Sequence, residues 1–140
     1  MSQQEIKASV EKILENSHVG PMATVKNNKP HSRYMTFYHK DMKLYTPTST
    51  DTDKTEEIEA NPYTHILLGY EGEGFGDEYV EYQGKVSLNQ SNDLKKQLWN
   101  EELNMYFDGP DDPSLVIMEI EPVQVRLMNK KGEPPKDLEF

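Results

Sequence analysis

Apolar residues recur at i, i+4, i+7 and i+8 through Ile6, Val10, Ile13 and Leu14, the spacing of one helical face. Ser2 with Glu5 three positions on makes a capping box, in which each side chain satisfies an orphan N–H of the first turn. A helix is therefore expected to end around Asn16 to His18. The pattern then changes to β-rich runs. "VGPMATV" (Val19 to Val25) and "HSRYMTFYHK" (His31 to Lys40) flank the polar turn "KNNKP", which predicts a hairpin. "DMKLYTP" follows the tight "HKDM" turn as a third strand. A short helix is expected over Thr55 to Ala60, stopped at Asn61-Pro62 because proline pushes the preceding residue out of helical space.

"YTHILLGYEG" and "EYVEYQGKVSLN" predict a fourth and a fifth strand joined by the acidic, glycine-rich "EGEGFGDE". Gly84 interrupts the fifth strand and suggests a bulge. "SNDLKKQLWNEELNMYF" predicts a third helix capped by Ser91, Asn92 or Asp93, with Leu94, Leu98 and Leu103 on its apolar face. The sixth strand is expected from Leu115 to about Leu127, with Pro122 marking an edge or a bulge. From Asn129 the chain turns polar and proline-containing, which predicts a mobile tail after a single domain over residues 1–128. Short antiparallel strands with few helices fit a closed or nearly closed barrel, since a doubly wound sheet needs strict βα alternation.

Composition narrows the chemistry. The 140 residues contain no cysteine, which removes disulfides, zinc–cysteine sites, iron–sulfur clusters and thiol nucleophiles together. That usage suits a reducing cytoplasm, and no segment approaches membrane-spanning length. Twenty-five acidic against fifteen basic residues give a net charge of −10, a field that repels nucleic acid and anionic membranes. Any anionic ligand has to be captured locally, by a few cations and backbone N–H groups.

One stretch offers such a place. "TPTSTDTDK" (Thr46 to Lys54) crowds hydroxyls and one cation between a strand and a helix. Asp53 with Glu56 makes a second capping box, and that alone accounts for the composition. The same helix entry presents free N–H groups and the positive end of a dipole, to which Thr52 and Lys54 add a hydroxyl and an ammonium suited to phosphate. In "HSRYMTFY" the alternation places Arg33, Met35 and Phe37 on one face and Tyr34, Thr36 and Tyr38 on the other. Arg33 then either packs its stem at a sheet edge or holds its fork beside an anion. The four histidines have no paired metal spacing, "EGEGFGDE" lacks a phosphate-loop pattern, and no nucleophile elbow occurs. Trp99 reads as an anchor of its helix, or as a cover for a flat ring or a subunit seam.

From "VGPMATVKNNKPHSRYMTF" through "LYTPTSTDTDKTEEIEANP" to "LWNEELNMYFDGPDDPSLVIMEIEP", the chain resembles the FMN-binding split-barrel family related to pyridoxamine 5′-phosphate oxidase, in its general stress protein 26 branch. The resemblance implies a mainly β fold with flanking helices, a six-stranded antiparallel split β-barrel. It also implies FMN as cofactor and a homodimer with two flavin sites at the subunit seam, each shared by both subunits. Carried over residue by residue, Arg33, Tyr34, Met35 and Thr36 run along the flavin, Tyr45 and Thr46 form the aromatic–threonine pair, and Thr52 and Lys54 hold the phosphate. Asn61-Pro62 matches the close of the next helix, and Trp99 falls near the seam. No catalytic side chain is implied, because the flavin carries the redox chemistry. The C-terminal "MNKKGEPPKDLEF" lacks the arginine–tryptophan motif of pyridoxamine phosphate oxidases, so no residues for the vitamin substrate carry over. The expected function is a flavin-dependent oxidoreductase of unknown substrate. Its alternatives are a non-catalytic flavin-binding stress module, or the same barrel holding deazaflavin or haem, for which His39 and His65 are the candidates.

Overall fold

The computed structural model describes residues 1–50, 58–72 and 77–139. Helix α1 (Gln3–Asn16) opens at the expected box, with the Ser2 hydroxyl accepting from Glu5 N and Glu5 Oε1 accepting from Ser2 N. It lays Ile6, Val10 and Leu14 on the sheet, and burial of each contributes roughly 1.5–3 kcal/mol. Eight strands follow among the described residues: β1 (Val19–Lys26), β2 (Lys29–Thr36), β3 (Tyr38–Lys40), β4 (Lys43–Ser49), β5 (Tyr63–Leu68), β6 (Tyr79–Asn89), β7 (Leu115–Met128) and β8 (Lys136–Leu138). Helix α2 (Asn92–Leu98) and a 3-10 turn (Glu101–Met105) lie between β6 and β7. Residues 58–60 are helical, and the rest of the expected Thr55 to Ala60 helix lies outside the described residues, as does the middle of "EGEGFGDE".

All pairings are antiparallel, in the order β2-β1-β5-β6-β7-β4-β3, with β8 added to β7. The two rims, β2 and β3, are consecutive in the chain and separated only by Phe37. The sheet therefore curls until its rims meet through the backbone, a split barrel rather than a fully hydrogen-bonded one. Phe37 N, donating to His18 O at 2.6 Å, ties that junction to the start of β1. Two expectations are corrected here. The run His31 to Lys40 is two strands, because the chain leaves β1 for β4 at Phe37, and this with β8 raises the count from six to eight. The chain after Asn129, expected as a polar mobile tail, instead places Lys136–Leu138 on β7 and buries Leu138 in the core.

The third helix is also shorter than expected. Asn100 turns its side-chain oxygen to Glu102 N and caps a new 3-10 turn, so α2 ends before Trp99. The bulge expected at Gly84 is present. The register passes from Gln83↔Gln124 to Gly84↔Pro122, which leaves Val123 of β7 as the extra residue. A Cβ at Gly84 would collide with the Ile120 side chain and sit 2.9 Å from Glu121 O, so only glycine lets the strands close there. The interior holds one large core around Met22, Phe37, Ile66, Tyr82 and Ile120. A second cluster of Tyr45, Leu103, Phe107, Leu115 and Ile117 lies beneath α2 and the 3-10 turn. No described helix is long and apolar enough to cross a membrane.

Candidate functional site

Where the curled sheet brings the rim strand β2 towards β4 lies a cavity of about 510 Å³. One wall is the end of β2, Tyr34, Met35 and Thr36, and the other is the end of β4, Pro47, Thr48 and Ser49. Leu103, Tyr106 and Phe107, from the 3-10 turn and the residues after it, form the floor. Its volume lies in the range of sites for drug-sized ligands, roughly 300–1,000 Å³. None of its described lining residues carries a charge, and the surface is mostly apolar with threonine and serine hydroxyls at the β4 end. That character suits a flat heteroaromatic ring. Beyond Ser49 and Thr50 the chain enters residues 51–57, so Thr52 and Lys54 lie outside the described residues.

Tyr34 is 77% exposed at the cavity rim, whereas Met35 points inward and is buried. Arg33 is on the inner face with Met35, as the alternation requires. Its Nη1 donates to Thr24 Oγ1 at 2.7 Å and to the Met22 carbonyl at 3.4 Å. Thr24 is buried, so the guanidinium is braced across β1 at the mouth of the barrel rather than swinging in solvent.

Tyr45 and Thr46 do not line the cavity. Tyr45 belongs to the second cluster, where burial first and Glu119 second push its phenol above the ordinary range. Thr46 is fully buried opposite Met118, and its Oγ1 has no hydrogen-bond partner among the described residues. Burial closes that hydroxyl off from the cavity, so it stays unsatisfied inside the sheet beside the wall at Pro47. Trp99, just past α2, packs half-buried on the second cluster below the floor residues and is not part of the cavity lining. The structure thus brings Tyr34, Met35 and Thr36 to the cavity and leaves Arg33, Tyr45, Thr46 and Trp99 outside its lining.

Sequence reasoning missed Leu103, Tyr106 and Phe107. The signal was available in the i, i+4 spacing of Leu103 and Phe107, but it was absorbed into a helix that stops at Leu98. Pro47, Thr48 and Ser49 stood inside the singled-out stretch without a role. His39 and His65 are not brought together. They lie on β3 and β5, with β6, β7 and β4 between them in the sheet, and His65 Nε2 faces Glu81 Oε2 at 3.7 Å.

A second cavity of about 410 Å³ shares Val19 and Tyr34 with the first and is walled by Gly20, Pro21, Tyr70 and Tyr79. Tyr70 and Tyr79 meet edge to face at 5.8 Å between ring centroids. Val19, Tyr34, Tyr70 and Tyr106, all more than half exposed, make the rims of the two cavities an apolar surface.

Comparison with known proteins agrees with this architecture. The family model for pyridoxamine 5′-phosphate oxidase matches residues 6–129. General stress protein 26 of Bacillus subtilis (strain 168) is 55% identical over 140 residues, covering all of both chains. The crystal structure of the general stress protein 26 from Bacillus anthracis str. Sterne superposes with a TM-score of 0.86 at 32% identity, over 96% of this chain and 98% of that one. A pyridoxamine 5′-phosphate oxidase-related, FMN-binding protein from Nostoc punctiforme PCC 73102 shares the fold, with a TM-score of 0.70 at 18% identity over 94% of this chain and 85% of that one. The chain belongs to the pyridoxamine 5′-phosphate oxidase family, in its general stress protein 26 branch.

Proposed function

We propose that this protein is a homodimeric, cytoplasmic flavoprotein that binds FMN and acts as an oxidoreductase on a small molecule. The observation that carries the reading is the cavity between Tyr34–Thr36 and Pro47–Ser49, uncharged among its described lining residues, with Thr52 and Lys54 following in the chain. An isoalloxazine ring fits between those strand ends. The phosphate then belongs at the β4 exit, with Lys54 and Thr52 as its ligands and Arg33 turning from its bond to Thr24 to join them. Two cations near one phosphate offset its charge of about −1.5 to −2, which a chain of net charge −10 has to do locally. The FMN-binding relative from Nostoc punctiforme supports the choice of cofactor.

Bound FMN supplies hydride or electron transfer. The chain's own residues do the rest. Met35 and Phe107 exclude water from the ring, and the β2 backbone presents its polar groups along one edge. The partner subunit covers the exposed Tyr34 and Tyr106.

The test is an absorbance spectrum of the purified protein, followed by titration of the apoprotein with FMN. A yellow protein with micromolar or tighter affinity is expected, and Lys54→Ala and Arg33→Ala should each weaken binding at least about tenfold, some 1.4 kcal/mol. A colourless protein that ignores FMN, or variants that keep wild-type affinity, would refute the assignment. Oxidation of NADH or NADPH no faster than by free FMN would leave a flavin-binding module without turnover.

A further inference from the structure

A third cavity, of about 500 Å³, shares Val19 and Thr36 with the proposed flavin cavity. Its other walls are His18, Tyr38, Asn100, Glu101 and Glu102. The His18 and Tyr38 rings stand 6.4 Å apart, tilted by 33°, as neighbouring aromatic groups of its wall. No lysine or arginine is among its described lining residues.

The hydrogen bonds around it fix which polar groups remain for a ligand. Asn100 Nδ2 donates to the Tyr38 hydroxyl oxygen at 2.7 Å and to the Leu98 carbonyl at 3.2 Å, while Asn100 Oδ1 accepts from Glu102 N. The amide is thereby committed, and the Tyr38 hydroxyl proton stays available. His18 Nδ1 lies 3.3 Å from the Phe37 carbonyl. A carbonyl only accepts, so in the neutral ring Nδ1 carries the proton and Nε2 keeps its lone pair. Glu101 and Glu102, both exposed, put two carboxylates at the rim of the chamber beside that one donor hydroxyl, and the neutral imidazole would add Nε2 as a third acceptor.

We infer that this chamber is the substrate site and that it selects a planar, cationic, unphosphorylated compound rich in N–H donors, such as an aryl amidine or guanidine. Aromatic walls take the ring, the acceptors take the N–H groups, and the carboxylates reject anions. A phosphorylated substrate finds no described cation here. The inference rests on the flavin reading only in treating the occupant as the flavin's reaction partner. The shared Thr36 and Val19 put the two cavities side by side.

The experiment titrates the protein with benzamidine and, separately, with benzoate by calorimetry at low salt, before and after loading with FMN. Saturable benzamidine binding is expected, with none by benzoate, and it should weaken as salt is raised. The isosteric double variant Glu101→Gln/Glu102→Gln should lose about fivefold or more in benzamidine affinity while keeping its melting temperature and its FMN affinity. Benzoate binding as well as benzamidine, or a double variant with wild-type benzamidine affinity, would overturn the inference. If the wild-type protein ignored FMN, the flavin reading would fall. The benzamidine and benzoate comparison on that same protein would still decide the character of the chamber.

Discussion

Tyr82 heads the fully buried side chains by size, and its hydroxyl is shared between the Met42 carbonyl at 2.7 Å and the Ile120 carbonyl at 3.0 Å. Met42 is in the left-handed region at φ 69°, in the tight β3–β4 turn, so this one phenol braces a strained turn against β7. Burial, reinforced by Glu121, raises its pKa far above the usual phenol value near 10. The unfolded chain ionises at that ordinary value and the folded chain does not. The stability contributed by the neutral phenol is therefore complete below about pH 10 and is lost as pH rises beyond it. Tyr82→Phe should cost about 1–3 kcal/mol at pH 7, because two buried carbonyls lose their donor. Its melting temperature should also fall less steeply than the wild-type's between about pH 10 and 12. Parallel curves would mean that another group controls the alkaline loss.

Elements differ in how much of them the pattern of residues shows, and the reasons are physical. Helix α1 was legible because its cap and its stripe agree, and the β1–β2 hairpin because Asn27 and Asn28 tolerate the left-handed φ values, 50° and 63°, that the turn uses. The division between β2 and β3 was not legible, since Phe37 continues the same alternation and only the change of partner reveals it. The cavity suffered likewise, because its walls come from strand ends that meet only when the sheet curls. Strand β8 carries one apolar residue in three, too few for a periodic signal. Its place is set by tertiary contacts instead: Gln3 donates to Asp137 O and accepts from Glu139 N, so α1 clamps both sides of Leu138. A true tail would tolerate Leu138→Ala at no cost. For a residue 6% exposed in the main core, a loss of roughly 2–4 kcal/mol in urea unfolding is expected, and a loss below about 0.5 would return the segment to tail status.

For the whole molecule, charge and apolar surface oppose one another. Two copies, each carrying −10, repel as they approach, while Val19, Tyr34 and Tyr106 offer apolar area around an open cavity. No lysine or arginine is among the described residues lining the two cavities, so in the proposed dimer the driving force for pairing is apolar burial. Salt then acts with an unusual sign. Screening lowers the repulsion between copies and leaves the apolar gain intact, so the dimer should tighten as salt rises from about 20 to 200 mM. An interface held by ion pairs would loosen over the same range. Sedimentation of the FMN-loaded protein at several concentrations measures this directly. Val19→Glu with Tyr106→Glu should yield a folded monomer that binds FMN at least about tenfold more weakly, since in the proposed dimer the neighbouring copy closes each cavity. A wild-type protein that sediments as a monomer under all these conditions would leave the cavity open to water and remove the partner from the proposed flavin site.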